Sequence, residues 1–492
     1  MKRLTLCTLL FLVTLPSTTW AFCGFFVAPG DTKLVNNATR VALMRHETTT
    51  VMSLQPDYQG PPEEFAMVIP VPQILAKEDV KTLDPGVFDA LDQFSSPRMA
   101  EYWEQNPCPV PRTQKSIPSG NINYLSDTSA FQDQQLSSKP YVKVEAQFAV
   151  GEYDIVILNS NDASALETWL VDQKYNIPAG AAPYLAPYIA SGKYFFVAKV
   201  DPKRARFAGK IAVLSPLRFN FTSDDFSLPI RLGMINADGE QDIIVFVLGE
   251  DRYVPANYPH APIPTNIVVK NTVRDQFAGF YEGLYQKARK ANEDAIITEY
   301  VWEIGNVQRG QVTQGIKCDP CTSPVQFFKP EWLVSLGLDV FGLGSNAQAS
   351  PTKPGPKSSE TPVEQPKKLV LTRLHGRFKS NDENPDIFFQ KAVPLVGGMG
   401  TPDQNAKLAQ TQILTSGTNR FQGRYVLLNP WKGKIQCKDP RRGIWGGPAD
   451  QGQPTNLPTA GGARFGGKKQ QSVNPKKFAT SKINYAPPKL AQ

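Results

Sequence analysis

Residues 40–54 read RVALMRHETTTVMSL, and this stretch decides the fold class. An apolar run lies on each side of a threonine-rich turn, which is typical of two strands joined as an antiparallel hairpin. Residues 142–158 repeat the arrangement, with a Gly-Glu turn between two alternating runs. We therefore expect neighbouring strands of this chain to pair antiparallel.

Other strand-like runs extend this pattern along the chain. They lie at 64–71, 194–200, 211–214, 228–234, 242–248, 369–378 and 421–428. Ala237-Asp238-Gly239 is a strong turn signal and predicts a hairpin that leads into 242–248.

Helices are indicated by capping residues followed by apolar residues at helical spacing. Pro85 behind Asp84 predicts one helix and Pro97 a second, because proline is favoured at the first helical position. A capping box of Ser164 and Glu167 begins a third, and residues 273–290 show the apolar face of a fourth. The predicted class is α+β, with predominantly antiparallel sheets and several amphipathic helices.

The first 21 residues have the pattern of a signal peptide. Lys2 and Arg3 precede an apolar run at 4–15, and Thr19-Trp20-Ala21 forms a small-x-small cleavage site. The apolar run is shorter than the roughly 20 residues that cross a bilayer. We expect an exported protein, periplasmic or extracellular, with no transmembrane helix in the mature chain.

Composition divides the rest of the chain into four regions. Residues 22–343 form the main α+β body, and 344–368 are a proline-rich linker with few apolar residues. Residues 369–445 are a small C-terminal segment that we expect to pack on the body, because its apolar residues are too few for a separate core. From residue 446 to 492 glycine, proline, glutamine and lysine dominate, and we expect a disordered basic tail.

The net charge of +8 is concentrated near the C-terminus. Residues 432–492 contain twelve Lys or Arg and two Asp, whereas the rest of the chain is close to neutral. A basic tail can bind an anionic envelope polymer or lipid headgroups, or it can simply be solvated. Export argues against nucleic acid, and a protein partner remains open.

Five cysteines follow the signal peptide: Cys23, Cys108, Cys318, Cys321 and Cys437. In an oxidising compartment the expected role is a structural disulfide. Cys23 with Cys108 is one expected pair, and Cys437 with Cys318 or Cys321 another. The odd number leaves one cysteine free or paired between molecules.

Two more specific interpretations of the cysteines have less support in the sequence. A redox-active Cys318-x-x-Cys321 needs a helix at its first cysteine, and Pro324 would interrupt such a helix. A metal site from Cys318, Cys321, His375 and Cys437 lacks a second pair with zinc spacing. We expect no metal and no cofactor, and no residue is assigned as catalytic.

One charged stripe is a possible anion-binding site. Strand periodicity places Arg373, His375 and Arg377 on one face of 369–378. Three donors in a row can bind a carboxylate, a phosphate or a sulfated sugar. The plainer alternatives are a solvated outer face, or arginines paired with acidic groups of the body.

Several sequence blocks resemble a family of exported bacterial proteins catalogued as domain of unknown function 2330. They include CGFFVAPGDTKLV near the start, SSPRMAEYWEQNPCP, VGEYDIVILNS, LPIRLGMINADGEQDIIVF, KCDPC, LTRLHGRF and FQGRYVLLNPWKG. The resemblance spans roughly residues 23–437 and implies no particular activity or cofactor. The proline-rich stretch near 345–368 and the basic tail after residue 445 depart from it.

The sequence thus predicts an exported, non-enzymatic envelope protein that acts by binding or assembly. The alternatives are a thiol-disulfide oxidoreductase that uses Cys318 and Cys321, and a structural surface protein.

Overall fold

The computed structural model describes most of the chain between residues 25 and 485. The described residues are 25–27, 38–55, 66–108, 141–173, 180–208, 211–236, 240–308, 311–313, 330–341, 367–379, 384–408, 413–446, 472–480, 483 and 485. The signal peptide, Cys23, Cys318, Cys321, the turn at 237–239 and residues 344–366 of the linker lie outside them.

Strands are the dominant element of the described residues. In chain order they are β1 (Phe25–Val27), β2 (Ala38–His46), β3 (Thr49–Gln55), β4 (Ala66–Val71), β5 (Val80–Thr82), β6 (Arg98–Glu104), β7 (Val142–Val150), β8 (Tyr153–Ser160), β9 (Tyr194–Val200), β10 (Arg206–Ala208), β11 (Ile211–Val213), β12 (Leu217–Thr222), β13 (Ser227–Leu228), β14 (Glu240–Gly249), β15 (Arg252–Pro255), β16 (His260–Pro262), β17 (Ile267–Val268), β18 (Ile296–Gln308), β19 (Gln311–Thr313), β20 (Lys367–Lys379), β21 (Ile387–Ala392), β22 (Leu395–Gly397), β23 (Leu414–Thr415), β24 (Arg420–Gln422), β25 (Arg424–Asn429) and β26 (Trp445–Gly446).

Helices are fewer and shorter. They are α1 (Gly86–Ser95), α2 (Ala163–Asp172), α3 (Ala182–Ala190), α4 (Phe277–Lys290) and α5 (Pro330–Leu336). Short 3-10 helices lie at Lys77–Asp79, Arg231–Asn236, Asn271–Gln276, Leu338–Phe341 and Pro475–Lys477.

Among the described residues the largest sheet has 12 strands, and its central order is β18-β20-β14-β2-β3-β12. Most pairs are antiparallel, including β2 with β3 and β20 with both β14 and β18. The sheet is mixed, because β14 runs parallel to β2, β16 parallel to β18 and β22 parallel to β24. A smaller sheet has the order β1-β4-β9-β8-β7.

Alternate residues of the large sheet enter two different cores. On β14, Ile243, Val245 and Val247 face the five-stranded sheet, where they pack in one cluster with Ile155 and Phe196. The intervening β14 residues pack on the other side with α1 and α5. Both faces of β14 are therefore buried, as expected for a strand inside a layered protein.

Helices cover the outer faces of the two sheets. Leu166 of α2 and Leu185 of α3 pack on Phe195 and Val197 of the small sheet. Phe280 and Leu284 of α4 belong to another cluster, which includes Ile297 of β18. The layers therefore run helix, small sheet, large sheet, helix.

The principal hairpins and helices expected from the sequence are confirmed. β2 and β3 form the hairpin within 40–54, and β7 and β8 the one within 142–158. Helix α1 begins at Gly86, and residues 271–290 form a 3-10 turn followed by α4. Helix α2 is also present, although its capping side chain is Asp162, which accepts from the Ala165 amide at 2.7 Å.

Two local predictions are wrong. The segment after Pro97 is strand β6, because its backbone pairs with β25 and β26 and this pairing overrides the local helix signal. The expected strand at 228–234 is replaced by the two-residue strand β13, which ends at Leu228, and by the 3-10 helix that begins at Arg231. Pro229 lacks an amide proton, and the Ile230 amide donates to Asp386 at 3.0 Å, so a continuing ladder does not form.

The C-terminal part of the chain is built into the large sheet. Strand β20 lies between β14 and β18. Part of the expected disordered tail is ordered: Val473, Phe478 and Ile483 pack on the cluster that α4 forms. This part of the tail is ordered because its apolar residues cover core that α4 and β17 would otherwise expose.

Candidate functional site

Arg373 of β20 is buried between two carboxylates. Its Nε donates to Glu299 Oε2 at 2.6 Å, and its Nη1 donates to Asp92 Oδ1 at 2.6 Å. The guanidinium also lies 5.3 Å from the centroid of the Phe246 ring. Only 1% of the Arg373 side chain is exposed. The residue is therefore an internal ion-pair centre that joins β20, β18 and α1.

His375 lies between two further carboxylate oxygens on the same face of β20. Nδ1 is 2.9 Å from Glu299 Oε1, and Nε2 is 3.0 Å from Asp242 Oδ1. The Tyr285 ring stacks on the imidazole at a centroid distance of 3.9 Å. Each ring nitrogen therefore lies within hydrogen-bond distance of a carboxylate oxygen.

Arg377 continues the stripe and binds a pair of acidic side chains. Its Nε and Nη2 donate to the two oxygens of Asp242 at 2.7 and 2.8 Å. Its Nη1 donates to Glu282 Oε1 at 2.6 Å. Such forked contacts are the strong geometry for arginine and a carboxylate.

The field of the cluster shifts the pKa values of its members. Burial by itself raises the pKa of Asp242, but Arg377 and His375 outweigh burial and hold that pKa well below the usual 3.8. For Arg373, burial lowers the pKa, but the charges of Asp92 and Glu299 raise it above its ordinary value. The ion pairs thus favour the charged forms.

A β-bulge turns Glu299 toward the cluster. Thr298 lies opposite Leu374 and Tyr300 lies opposite Arg373, so Glu299 is the extra residue between two ladder positions. A bulge re-aims the side chain that it inserts. The Glu299 side chain, 1% exposed, consequently reaches both Arg373 and His375.

We call this set the buried charge cluster; its members are Asp92, Asp242, Glu282, Glu299, Arg373, His375 and Arg377. The stripe that the sequence indicated is thus a buried face with the chain's own carboxylates as partners. It is not a solvated outer face. An external anion at this stripe stays a prediction.

Sequence reasoning missed the four carboxylates of the cluster. Glu299 carried a usable signal, because it is a charged residue inside the apolar run IITEYVW. Asp242 had a weaker one at the start of an apolar strand. Asp92 and Glu282 lie on helices, where an acidic residue is ordinarily read as surface.

The described residues contain one disulfide, which joins Cys108 to Cys437 with Cα atoms 5.6 Å apart. The expected pairs of Cys23 with Cys108, and of Cys437 with Cys318 or Cys321, are therefore wrong. The reason is that β6 and β25 run parallel, so their ends meet and deliver both cysteines to one edge. Nearby, Glu104 accepts from the Trp431 and Gly443 amides at 2.9 Å each.

Two of the four residues considered for a metal have other partners. Cys437 is bonded to Cys108, and His375 is held in the buried charge cluster, whereas Cys318 and Cys321 lie outside the described residues. Within the described part of the chain, no group of three or more His, Cys, Asp or Glu is placed to hold a metal ion.

A surface with several lysines forms where the tail packs on the body. Lys270 Nζ donates to the Lys477 carbonyl at 2.8 Å, and Lys287 Nζ donates to Asn474 Oδ1 at 2.9 Å. Lys476 and Lys477 are exposed. We call Lys270, Lys287, Lys476 and Lys477 the lysine surface.

Among the described helices, none has the length and apolar character needed to cross a membrane.

Fold and cluster together define a layered, strand-rich protein with ion pairs inside its main sheet. The chain belongs to a family described as an uncharacterized protein conserved in bacteria (DUF2330), whose model matches residues 17–324. This confirms the family that the sequence resembles, and the similar blocks after residue 324 lie outside the matched range. No curated protein and no solved structure matches the chain.

Proposed function

We propose that this protein is exported and acts in the bacterial envelope by binding or assembly, without catalysis of its own. The disulfide between Cys108 and Cys437 is the observation that carries the proposal. Disulfides form and persist in oxidising compartments such as the periplasm or the cell surface. The signal-peptide pattern of residues 1–21 leads to the same compartment.

The buried charge cluster supports a structural role for the two arginines and the histidine of β20. Arg373, His375 and Arg377 are held by carboxylates from α1, β14, β18 and α4. Groups committed in this way fix the position of β20 in the sheet, and such burial is expensive to rearrange.

The lysine surface is the proposed contact with the envelope. It brings together cations from 270–287 and from 476–477, which the tail holds side by side. A cluster of lysines attracts anionic polymers or lipid headgroups, with an affinity that falls as salt rises.

Compartment is tested by fractionating cells that express the full chain. The expected result is envelope material that begins at Phe22, with Cys108 and Cys437 resistant to alkylation until a reductant is added. Cytosolic protein with an intact Met1 and reduced Cys108 and Cys437 would contradict export. Two thiols at Cys318 and Cys321 that cycle with a partner would favour the oxidoreductase alternative.

Binding is tested with point substitutions, because deleting the tail would also remove Val473 and Phe478 from the core. We expect Lys476→Gln/Lys477→Gln to weaken salt-sensitive binding to phosphatidylglycerol vesicles or to polyphosphate, and the two probes separate lipid from polymer. Lys77→Gln/Lys203→Gln, at exposed positions elsewhere, is the control. Equal binding by both double variants would reject the lysine surface.

A further inference from the structure

Arg252 is a buried arginine with unused hydrogen-bonding capacity. It lies at the start of β15 and is 3% exposed. Its Nη1 donates to the Val393 carbonyl at 3.0 Å. Its Nε is buried, and no hydrogen-bond partner for it is present among the described residues. Burial lowers the pKa of Arg252 to about 10.

Other buried arginines of the described chain either reach a carboxylate or, like Arg45 and Arg424, donate several hydrogen bonds to neutral oxygens. Arg218 is 2.8 Å from Asp339, and Arg289 is 3.3 Å from Asp294. The acid next to Arg252 in sequence, Asp251, is instead bound by Lys391 at 2.6 Å. Within the part of the chain that the structure describes, Arg252 forms no such ion pair.

Two further unsatisfied polar groups lie on the sheet that β15 covers. Strand β15 packs across β18 and β20. Thr298 of β18 and Thr372 of β20 are fully buried, and their hydroxyls lack hydrogen-bond partners among the described residues. Thr298 lies opposite Leu374, and Leu374 is two residues from Thr372 on β20. Both threonines are therefore on the face of the sheet opposite Arg373 and His375.

His260 places a further ionisable group on this face. It pairs in register with Ile296, two residues from Thr298. Burial and, next, the charge of Arg252 lower its pKa, so a neutral imidazole is favoured beside the arginine. Arg252 therefore supplies the positive charge here.

We propose that Arg252, with the hydroxyls of Thr298 and Thr372, forms a buried site for a small monovalent inorganic anion such as chloride. A buried guanidinium is stabilised by a nearby negative charge. Threonine hydroxyls can donate hydrogen bonds to a spherical anion such as chloride. One cation and a few donors suit a single negative charge. A divalent oxyanion would carry charge that these groups do not balance.

The test measures thermal unfolding of the full chain in sodium chloride, bromide, fluoride and gluconate at one ionic strength. Ligand that binds only the folded state raises Tm with a saturating dependence on its concentration. We expect chloride and bromide to raise Tm above gluconate, and Arg252→Met to remove the difference. Lys391→Gln, on the neighbouring strand, should keep it.

Two nearly isosteric variants test the site even if Arg252→Met does not fold. Thr298→Val and Thr372→Val each remove one donor with little change of shape, and we expect weaker chloride dependence with the fold intact. The same Tm in all four salts would overturn the proposal and leave ordered water as the occupant. An anion-specific shift that survives in a folded Arg252→Met, or in both valine variants, would also overturn it. So would crystals grown in bromide without an anomalous peak beside Arg252.

Discussion

Gly283 of α4 and Val473 of the tail are so close that a Cβ added to Gly283 would lie 2.0 Å from the Val473 carbonyl oxygen. The Val473 amide also donates to the Gly279 carbonyl at 3.2 Å. The tail segment therefore packs on the helix backbone itself, and the missing Cβ of Gly283 makes this approach possible.

Gly283→Ala should destabilise the protein. Glycine to alanine inside a helix ordinarily stabilises by about 1 kcal/mol, but here the new methyl group displaces the tail. We expect a lower Tm and faster proteolysis near residues 472–480. Gly417→Ala, where nothing lies within 4 Å of the added atom, is the control. A raised Tm in Gly283→Ala would show that the tail does not pack there.

Arg373→Met should cost the fold about 3–5 kcal/mol, because it leaves the Asp92 and Glu299 carboxylates buried without their cation. The measurement is urea-induced unfolding at neutral pH. Asp89→Asn is the control. The Asp89 side chain, 62% exposed, pairs with Arg40, and the loss of this surface ion pair should cost less than about 1 kcal/mol. Similar costs for the two variants would mean that the cluster is not held by charge.

Acid should weaken the protein through Asp242. Its pKa is lower in the folded chain than the value of about 3.9 in an unfolded one, so the ionised form stabilises the fold. This contribution is complete above about pH 4 and is lost as the pH falls through the folded-state pKa. The free-energy difference between the protein and Asp242→Asn should therefore shrink below about pH 4. A difference that stays constant down to pH 3 would contradict this assignment.

A chain that ends at residue 324, the limit of the family match, should not fold. It lacks β20, so β14 and β18 lose their shared neighbour, and Glu299 and Asp242 lose their cations. Circular dichroism and urea titration would show no cooperative transition, unlike the full chain. A native-like transition in the shortened chain would mean that β20 is dispensable.

Local sequence signals predicted those elements whose partners are near in the chain. The hairpin of β2 and β3 needs only its own turn and apolar runs, and α4 needs only the spacing of Phe277, Phe280 and Tyr281. In contrast, Pro97 gave β6 a local helix signal, and the partner strand β25 that overrides this signal lies more than 300 residues away. The tail was misjudged for the same reason, since α4, which it covers, is distant in sequence.

The sequence by itself determined the family, most of the alternation of strands and helices, and the fact that Arg373, His375 and Arg377 share a face. Tertiary structure alone decided that this face is buried against Asp92, Asp242, Glu282 and Glu299, and that Cys108 pairs with Cys437. Side-chain periodicity is a local property of the backbone. Which charges and thiols meet depends on the pairing of strands that are far apart in the sequence. Local sequence patterns do not specify that pairing.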